Sequence, residues 1–185
     1  MIRGINVGGC NAVPMAGLRA SLDAVAGVSE VQTYIQSGNV VLFAPGLDEA
    51  GVVSLVERVL LDEFGVETVV VAISAATMRA AVDDAPAGFG TEPDEYHYDV
   101  AFLRPHVRET DAAAAFALRE GVDTLWEGSG AIYFCRLSAQ RTKSRMNRVM
   151  STPFYKDMTI RNWRTATTLA EMVGARGHAG TAVSR

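Results

Sequence analysis

The chain has 185 residues, enough for one large domain or two small ones. Its 49% hydrophobic and 21% charged residues, with a formal net charge of −4, exclude a disordered chain. Its apolar runs are too short and too broken by charge to form a membrane span.

In chain order, residues 2–7 read as a short strand, followed by the loop Val7-Gly8-Gly9-Cys10-Asn11. Pro14 suits a first helical position, where its missing N–H costs nothing. Met15, Leu18, Leu22 and Val25 then recur at helical spacing until Gly27. Residues 31–36 and 39–43 predict a hairpin turned at Ser37-Gly38. Leu47-Asp48 opens a second helix, with Val52, Val56, Val59 and Leu60 on one face and Gly65 as its stop. Residues 68–73 are a β-rich apolar run, and Ser74 can cap a further helix ending near Asp83.

Residues 86–95 carry Pro, Gly and acidic side chains and read as a linker. The order then recurs: a strand at 97–103, an alanine-rich helix at 109–119 stopped by Gly121, and a hairpin of 122–126 with 131–136. Residues 142–150 predict a basic amphipathic helix with Met146, Val149 and Met150 apolar. A short strand at 158–161 leads to Asn162, the expected cap of a last helix with Trp163, Ala166, Leu169, Ala170 and Val173 inward. The hairpin Ser37-Gly38-Asn39-Val40-Val41-Leu42-Phe43 is echoed by Ser129-Gly130-Ala131-Ile132-Tyr133-Phe134. The expected fold class is therefore α+β, with two tandem ferredoxin-like (split βαβ) units whose antiparallel-containing sheets carry helices on one face. The expected divisions are 1–85, a linker at 86–95, 96–174, and a flexible tail at 175–185.

The net charge conceals an asymmetry. Between positions 136 and 164 stand eight cations, Arg136, Arg141, Lys143, Arg145, Arg148, Lys156, Arg161 and Arg164. They face one acid, Asp157, so this segment carries +7 (eight minus one) and the rest of the chain −11. Such segregation predicts an anionic partner. Arg141, Lys143, Arg145 and Arg148 are expected to lie exposed on one helix and its approach, with Arg161 nearby and freest to meet a ligand.

Gly4, Gly8 and Gly9 stand between a strand and a helix, where backbone N–H groups can cradle a phosphate or simply make a tight turn. Their spacing fits neither the dinucleotide fingerprint nor the phosphate loop. Asn6, Asn11, Gln36 and Asn39 are expected at one sheet end, as a ligand pocket or a hydrogen-bonded brace. Arg161-Asn162-Trp163 joins a cation, a cap and an amphipathic ring. Cys10 is a candidate reactive thiol. With Cys135 it makes too few cysteines for a disulfide framework, and no apolar leader follows Met1, so a cytoplasmic protein is expected. His97, His106 and His178 share no metal spacing, and neither metal nor cofactor is expected.

Three ordered stretches carry a resemblance. They are Arg3-Gly4-Ile5-Asn6-Val7-Gly8-Gly9 with Val13-Pro14-Met15, then Thr33-Tyr34-Ile35-Gln36-Ser37-Gly38-Asn39-Val40, then Ile160-Arg161-Asn162-Trp163. Together they resemble a bacterial family known as domain of unknown function 1697. The resemblance implies the tandem α+β fold and carries no activity or catalytic residue. Family members have a longer apolar run before the Arg-Gly, and often a basic residue where Cys10 stands.

The leading expectation is a binding protein for an anionic small molecule, nucleotide-like, or for nucleic acid. Its candidate ligand residues are Arg3, Asn6, Gly8, Gly9, Asn11, Gln36, Ser37, Gly38 and Asn39 in the first half. In the second half they are Arg141, Lys143, Arg145, Arg148, Arg161, Asn162 and Trp163. Phe154, Tyr155 and Trp163 would add stacking beside an open sheet face. One alternative is a phosphoryl or acyl-phosphate hydrolase-like enzyme, since the Arg and Asn of small acyl-phosphate hydrolases are echoed by Arg3 and Asn39. The other is a structural or homodimerising module without a ligand.

Overall fold

The strand expected at 2–7 is reduced to a bridge. In the computed structural model, which describes residues 1–9 and 11–177, Gly4 and Asn6 take φ values of 66° and 55°, left-handed conformations that interrupt a strand. Ile2 bridges Val70 in antiparallel sense, supported by Arg3 N–H to the Val69 carbonyl and Val71 N–H to the Met1 carbonyl. Helix α1 (Met15–Asp23) follows, with Pro14 as its extended cap rather than its first residue. Strands β1 (Ser29–Tyr34) and β2 (Asn39–Phe43) pair antiparallel with Tyr34 opposite Asn39. β1 stops short of the expected Gln36 because Ile35 turns to φ 50°. Helix α2 (Glu49–Phe64) is capped by the Asp48 carboxylate, which accepts from Gly51 N–H at 2.8 Å, and closes on left-handed Gly65. A single cluster containing Ile2, Ile5, Leu18, Leu22, Val31, Leu60 and Val70 joins these elements. Each such side chain stabilises the fold by about 1.5–3 kcal/mol, more than the helix propensity of a nine-residue segment like α1 supplies.

The chain divides into two units, Met1–Ala72 and Ile73–Arg185. Helix α3 (Ala75–Asp83), capped as expected by Ser74 Oγ accepting from Thr77 N–H at 3.1 Å, therefore belongs to the second unit and not the first. The second unit continues with β3 (Tyr96–Leu103), α4 (Glu109–Ala114), β4 (Asp123–Gly128), β5 (Ala131–Leu137), β6 (Met158–Asn162) and α5 (Trp163–Gly177). Its strands lie in the order β4-β5-β3-β6, every neighbour antiparallel. Helix α4 is shorter than the expected 109–119. The amides of Ala115 and Phe116 turn back to Ala112 and Ala113, which lets Phe116 pack against Phe134.

Helices were expected on one face of each sheet, but the second sheet is covered on both. Ala101, Leu103, Ile132 and Phe134 cluster with Ala112 of α4 and with Met146 and Val149. On the opposite face the Tyr133 hydroxyl donates to the Ala81 carbonyl of α3 at 2.8 Å, and α3 packs on α5. Residues 86–95, the expected linker, also lie inside the second unit. Phe89 is buried there, edge-to-face with Tyr98, Trp126, Tyr133 and Trp163 at centroid distances of 4.8, 5.9, 5.4 and 5.1 Å. Gly90 follows with φ 85°, and a Cβ at that position would overlap the Trp163 indole.

No α-helix forms at 142–150. Three 3-10 turns, Ser138–Lys143, Met146–Ser151 and Pro153–Asp157, replace it. Competing acceptors explain the change: Arg145 N–H donates to the Asp123 carboxylate at 3.0 Å and Met146 N–H to Ser144 Oγ at 3.2 Å. Met146 and Val149 are buried as expected, whereas Met150 is exposed. Asn162 does cap the last helix, its Oδ1 accepting from Thr165 N–H at 2.8 Å. That helix runs to Gly177, into the expected tail, and residues 178–185 with His178 lie outside the described residues.

Candidate functional site

In the first unit, the polar side chains expected at one sheet end are held by the backbone. Asn6 Oδ1 accepts from Val13 N–H at 2.8 Å, and Asn6 Nδ2 donates to the carbonyls of Val13 and Gln36 at 2.8 and 2.9 Å. Asn6 N–H donates to the Asn11 carbonyl, and Asn11 Nδ2 donates to the Gly4 carbonyl at 3.2 Å. Asn39 is fully buried, its Nδ2 donating to the Tyr34 carbonyl and Ser37 Oγ at 3.2 and 3.3 Å. Ile2 N–H reaches the Gly38 carbonyl at 2.7 Å, so close an approach that a Cβ on Gly38 would sit 2.9 Å from Ile2. Gln36, Ser37 and Gly38 thus enter through their backbone or hydroxyl groups. Gly8 and Gly9 are exposed, while Arg3 is half-buried and its carbonyl accepts from the Thr68 hydroxyl. Cys10, the candidate thiol, lies outside the described residues.

In the second unit, Arg141, Lys143, Arg145 and Arg148 are all exposed. Arg141 and Lys143 lie in one 3-10 turn, Arg148 in the next and Arg145 between them, and among the described residues none of the four forms an ion pair. Lys143 Nζ meets only a neutral partner, Gln140 Oε1, at 3.4 Å. Other cations of the segment are internal. Arg136 pairs with buried Asp99 at 3.0 Å. Burial raises the Asp99 carboxyl above the usual carboxylate range, and Arg136 and His97 oppose that rise. Arg161, expected to be freest for a ligand, is half-buried and donates to Thr159 Oγ1 and the Ile160 carbonyl, each at 2.8 Å. Burial draws its guanidinium down to about 10. Trp163 packs on Phe89, and Phe154 and Tyr155 pack against the core, so these rings do not line an open sheet face.

Sequence reasoning missed a pocket in the second unit. It has a volume of about 240 Å³ and is lined by Pro86, Ala87, Gly88, Phe89, Glu92, Tyr96, Tyr98, Thr124, Trp126 and Cys135. Strand register builds its floor: Tyr98 lies opposite Cys135, and Cys135 opposite Thr124, so three side chains on adjacent strands share one face. The signal was present as Tyr96-x-Tyr98 and Thr124-x-Trp126, each with the period of a strand. The covering loop hides it, because its Pro, Gly and acidic residues have the composition of a linker. Burial raises both the Cys135 thiol and the Tyr98 phenol above their ordinary values.

Residues 1–133 match the sequence profile of the family described as Protein of unknown function (DUF1697). The chain belongs to this family. No curated protein matches it in sequence. Among solved structures, that of the conserved bacterial protein SP0830 from Streptococcus pneumoniae is similar, with a TM-score of 0.73 and 26% identity. The likeness covers 94% of this DUF1697 chain and 96% of SP0830, so it extends well past the end of the sequence match. No helix among the described residues is long and apolar enough to cross a membrane. No cluster of three or more His, Cys, Asp or Glu able to hold a metal occurs among them.

Proposed function

We propose that this DUF1697 chain binds a small anionic molecule, nucleotide-like in its charge, at the cationic turns that follow β5. The observation that carries this reading is the set of four exposed cations, Arg141, Lys143, Arg145 and Arg148, that form no ion pair among the described residues. Like charges this close in sequence repel one another, and a multivalent anion relieves the repulsion. The covering of both faces of the second sheet favours a compact anion over a nucleic-acid strand, which needs an open surface for stacking. The first-unit asparagines we assign to bracing. With the Asn39 amide held inside the hairpin, the Arg3 and Asn39 echo of an acyl-phosphate hydrolase gains no support.

The same reading takes the chain as two tandem ferredoxin-like units. The order β4-β5-β3-β6, with the first strand of the unit between its third and fourth, supports this for the second unit, and the Ile2 bridge to Val70 supports it for the first. A cytoplasmic setting suits the buried free thiol of Cys135.

Thermal unfolding in the presence of inorganic phosphate, nucleoside mono- and triphosphates, and a short oligonucleotide tests the proposal, since a bound ligand raises the midpoint by mass action. A nucleotide-dependent rise that shrinks with added salt, and is lost in Arg145→Glu/Arg148→Glu, is expected. A rise untouched by salt and by the double charge reversal would overturn the reading. A response to the oligonucleotide alone would replace it with nucleic-acid binding.

A further inference from the structure

The pocket beneath the 86–92 loop has the opposite electrostatic character from the turns after β5. Phe89 meets Tyr98 at 4.8 Å with the rings inclined by 70°, and meets Trp126 at 5.9 Å and 87°. Tyr96 stands 6.0 Å from Tyr98 at 48°. These rings, packed edge-to-face, form one wall of the pocket. The floor is made of the smaller Thr124 and Cys135, and Glu92 stands in the lining, while among the described residues no lysine, arginine or histidine does.

The tyrosines register the field of the neighbouring acids. The Glu95 carboxylate holds the Tyr96 phenol above its ordinary value, with Glu92 adding to the effect. Burial does the same to Tyr98, opposed by its hydrogen bond to the Glu92 backbone and aided by the charges of Glu92 and Glu95. An anionic group entering this pocket would meet that negative potential without a counter-charge. A neutral apolar group would gain contact with the rings and nothing from Glu92. A cation with an apolar surface gains from both, since aromatic faces attract positive charge and the exposed Glu92 carboxylate supplies the opposite charge.

We propose that this pocket binds an organic cation, an alkylated ammonium head group, walled by Phe89, Tyr98 and Trp126 with Glu92 as its counter-charge. The site is separate from the cationic turns and stands or falls without them.

The test uses the full chain titrated with tetramethylammonium and choline at constant chloride, against 3,3-dimethylbutanol as the uncharged isostere of choline. Binding is read from tryptophan fluorescence and from the thermal midpoint. A saturable response to both cations is expected in the millimolar range, as suits head groups of so few atoms, with a far weaker response to the alcohol. Glu92→Gln, an exposed substitution, should weaken cation binding several-fold and leave the alcohol unchanged. Trp126→Leu should abolish the cation response while keeping the fold, because Trp126 is 37% exposed on an edge strand. Equal responses to choline and the alcohol would overturn the proposal, as would the absence of saturation with either cation. So would cation binding that survives both Glu92→Gln and Trp126→Leu.

Discussion

Asn6 and Val13 form a reciprocal pair: the Asn6 carboxamide accepts from the Val13 N–H and donates to the Val13 carbonyl, both at 2.8 Å. The side chain thus imitates a neighbouring strand where the backbone, at φ 55°, has left the extended region. Replacing it by alanine leaves a Val13 donor and acceptor, and the Gln36 carbonyl, without their partner. Asn6→Ala and Asn39→Ala should each lower stability by about 1–2 kcal/mol, measured by urea unfolding. Asn6→Gly separates the two contributions at position 6, since glycine accepts the positive φ and lacks only the hydrogen bonds. If both alanine variants unfold at the parental midpoint, the motif is not a brace.

Gly90→Ala is predicted to cost about 2–4 kcal/mol, from overpacking against the Trp163 ring combined with an unfavourable left-handed backbone. The near-ultraviolet circular dichroism of the tryptophans should weaken with it, reporting a displaced indole. Parental spectra and stability in this variant would mean that the loop does not depend on the close approach.

Removal of Arg136 leaves the Asp99 carboxylate buried without its ion-pair partner. At neutral pH, Arg136→Met should therefore destabilise by about 3–5 kcal/mol. Burial already places the folded-state Asp99 carboxyl above its unfolded value. Its titration therefore favours folding below the unfolded carboxylate value, and that contribution is lost as pH rises through the folded value. Without Arg136 the folded value rises further, so the deficit of the variant should shrink as pH falls into the carboxylate range. A deficit constant with pH would locate the loss in packing alone.

The Asp123 carboxylate accepts from Arg119 N–H at 2.8 Å and from Arg145 N–H at 3.0 Å, tying the approach to β4 to the cationic turns. In Asp123→Ala the amides of Arg119 and Arg145 should exchange with solvent markedly faster, and stability should fall by about 1–3 kcal/mol. Asp123→Asn keeps an acceptor and should restore most of the protection. Unchanged exchange in the alanine variant would show that the turns hold themselves.

Where chain-local chemistry decides, the sequence was sufficient. The Ser74 and Asn162 caps, the helix start at Leu47-Asp48, the Gly65 stop and the span of β2 are all as expected, because a cap or a turn is settled within a few residues. The exposure of Arg141, Lys143, Arg145 and Arg148 was legible too, since long cations are rarely buried without partners. What failed depended on distant residues. The helical periodicity of 142–150 lost to an acceptor on Asp123, more than twenty residues away. The segment 86–95 has the composition of a linker, and only the rings around Phe89, drawn from three strands and a helix, make it part of a core. The pocket was invisible for the same reason, because its walls meet only through sheet register.

The strand order of the second sheet has a bearing on where this chain can be cut. The family profile ends at residue 133, inside β5, which lies between β4 and β3. A protein trimmed to the matched region would lose most of the strand that both neighbours share, along with β6 and α5. Two rows of backbone donors and acceptors would then face solvent, a template for association between molecules. Such a fragment should aggregate, whereas cuts between Ala72 and Ile73 respect both cores.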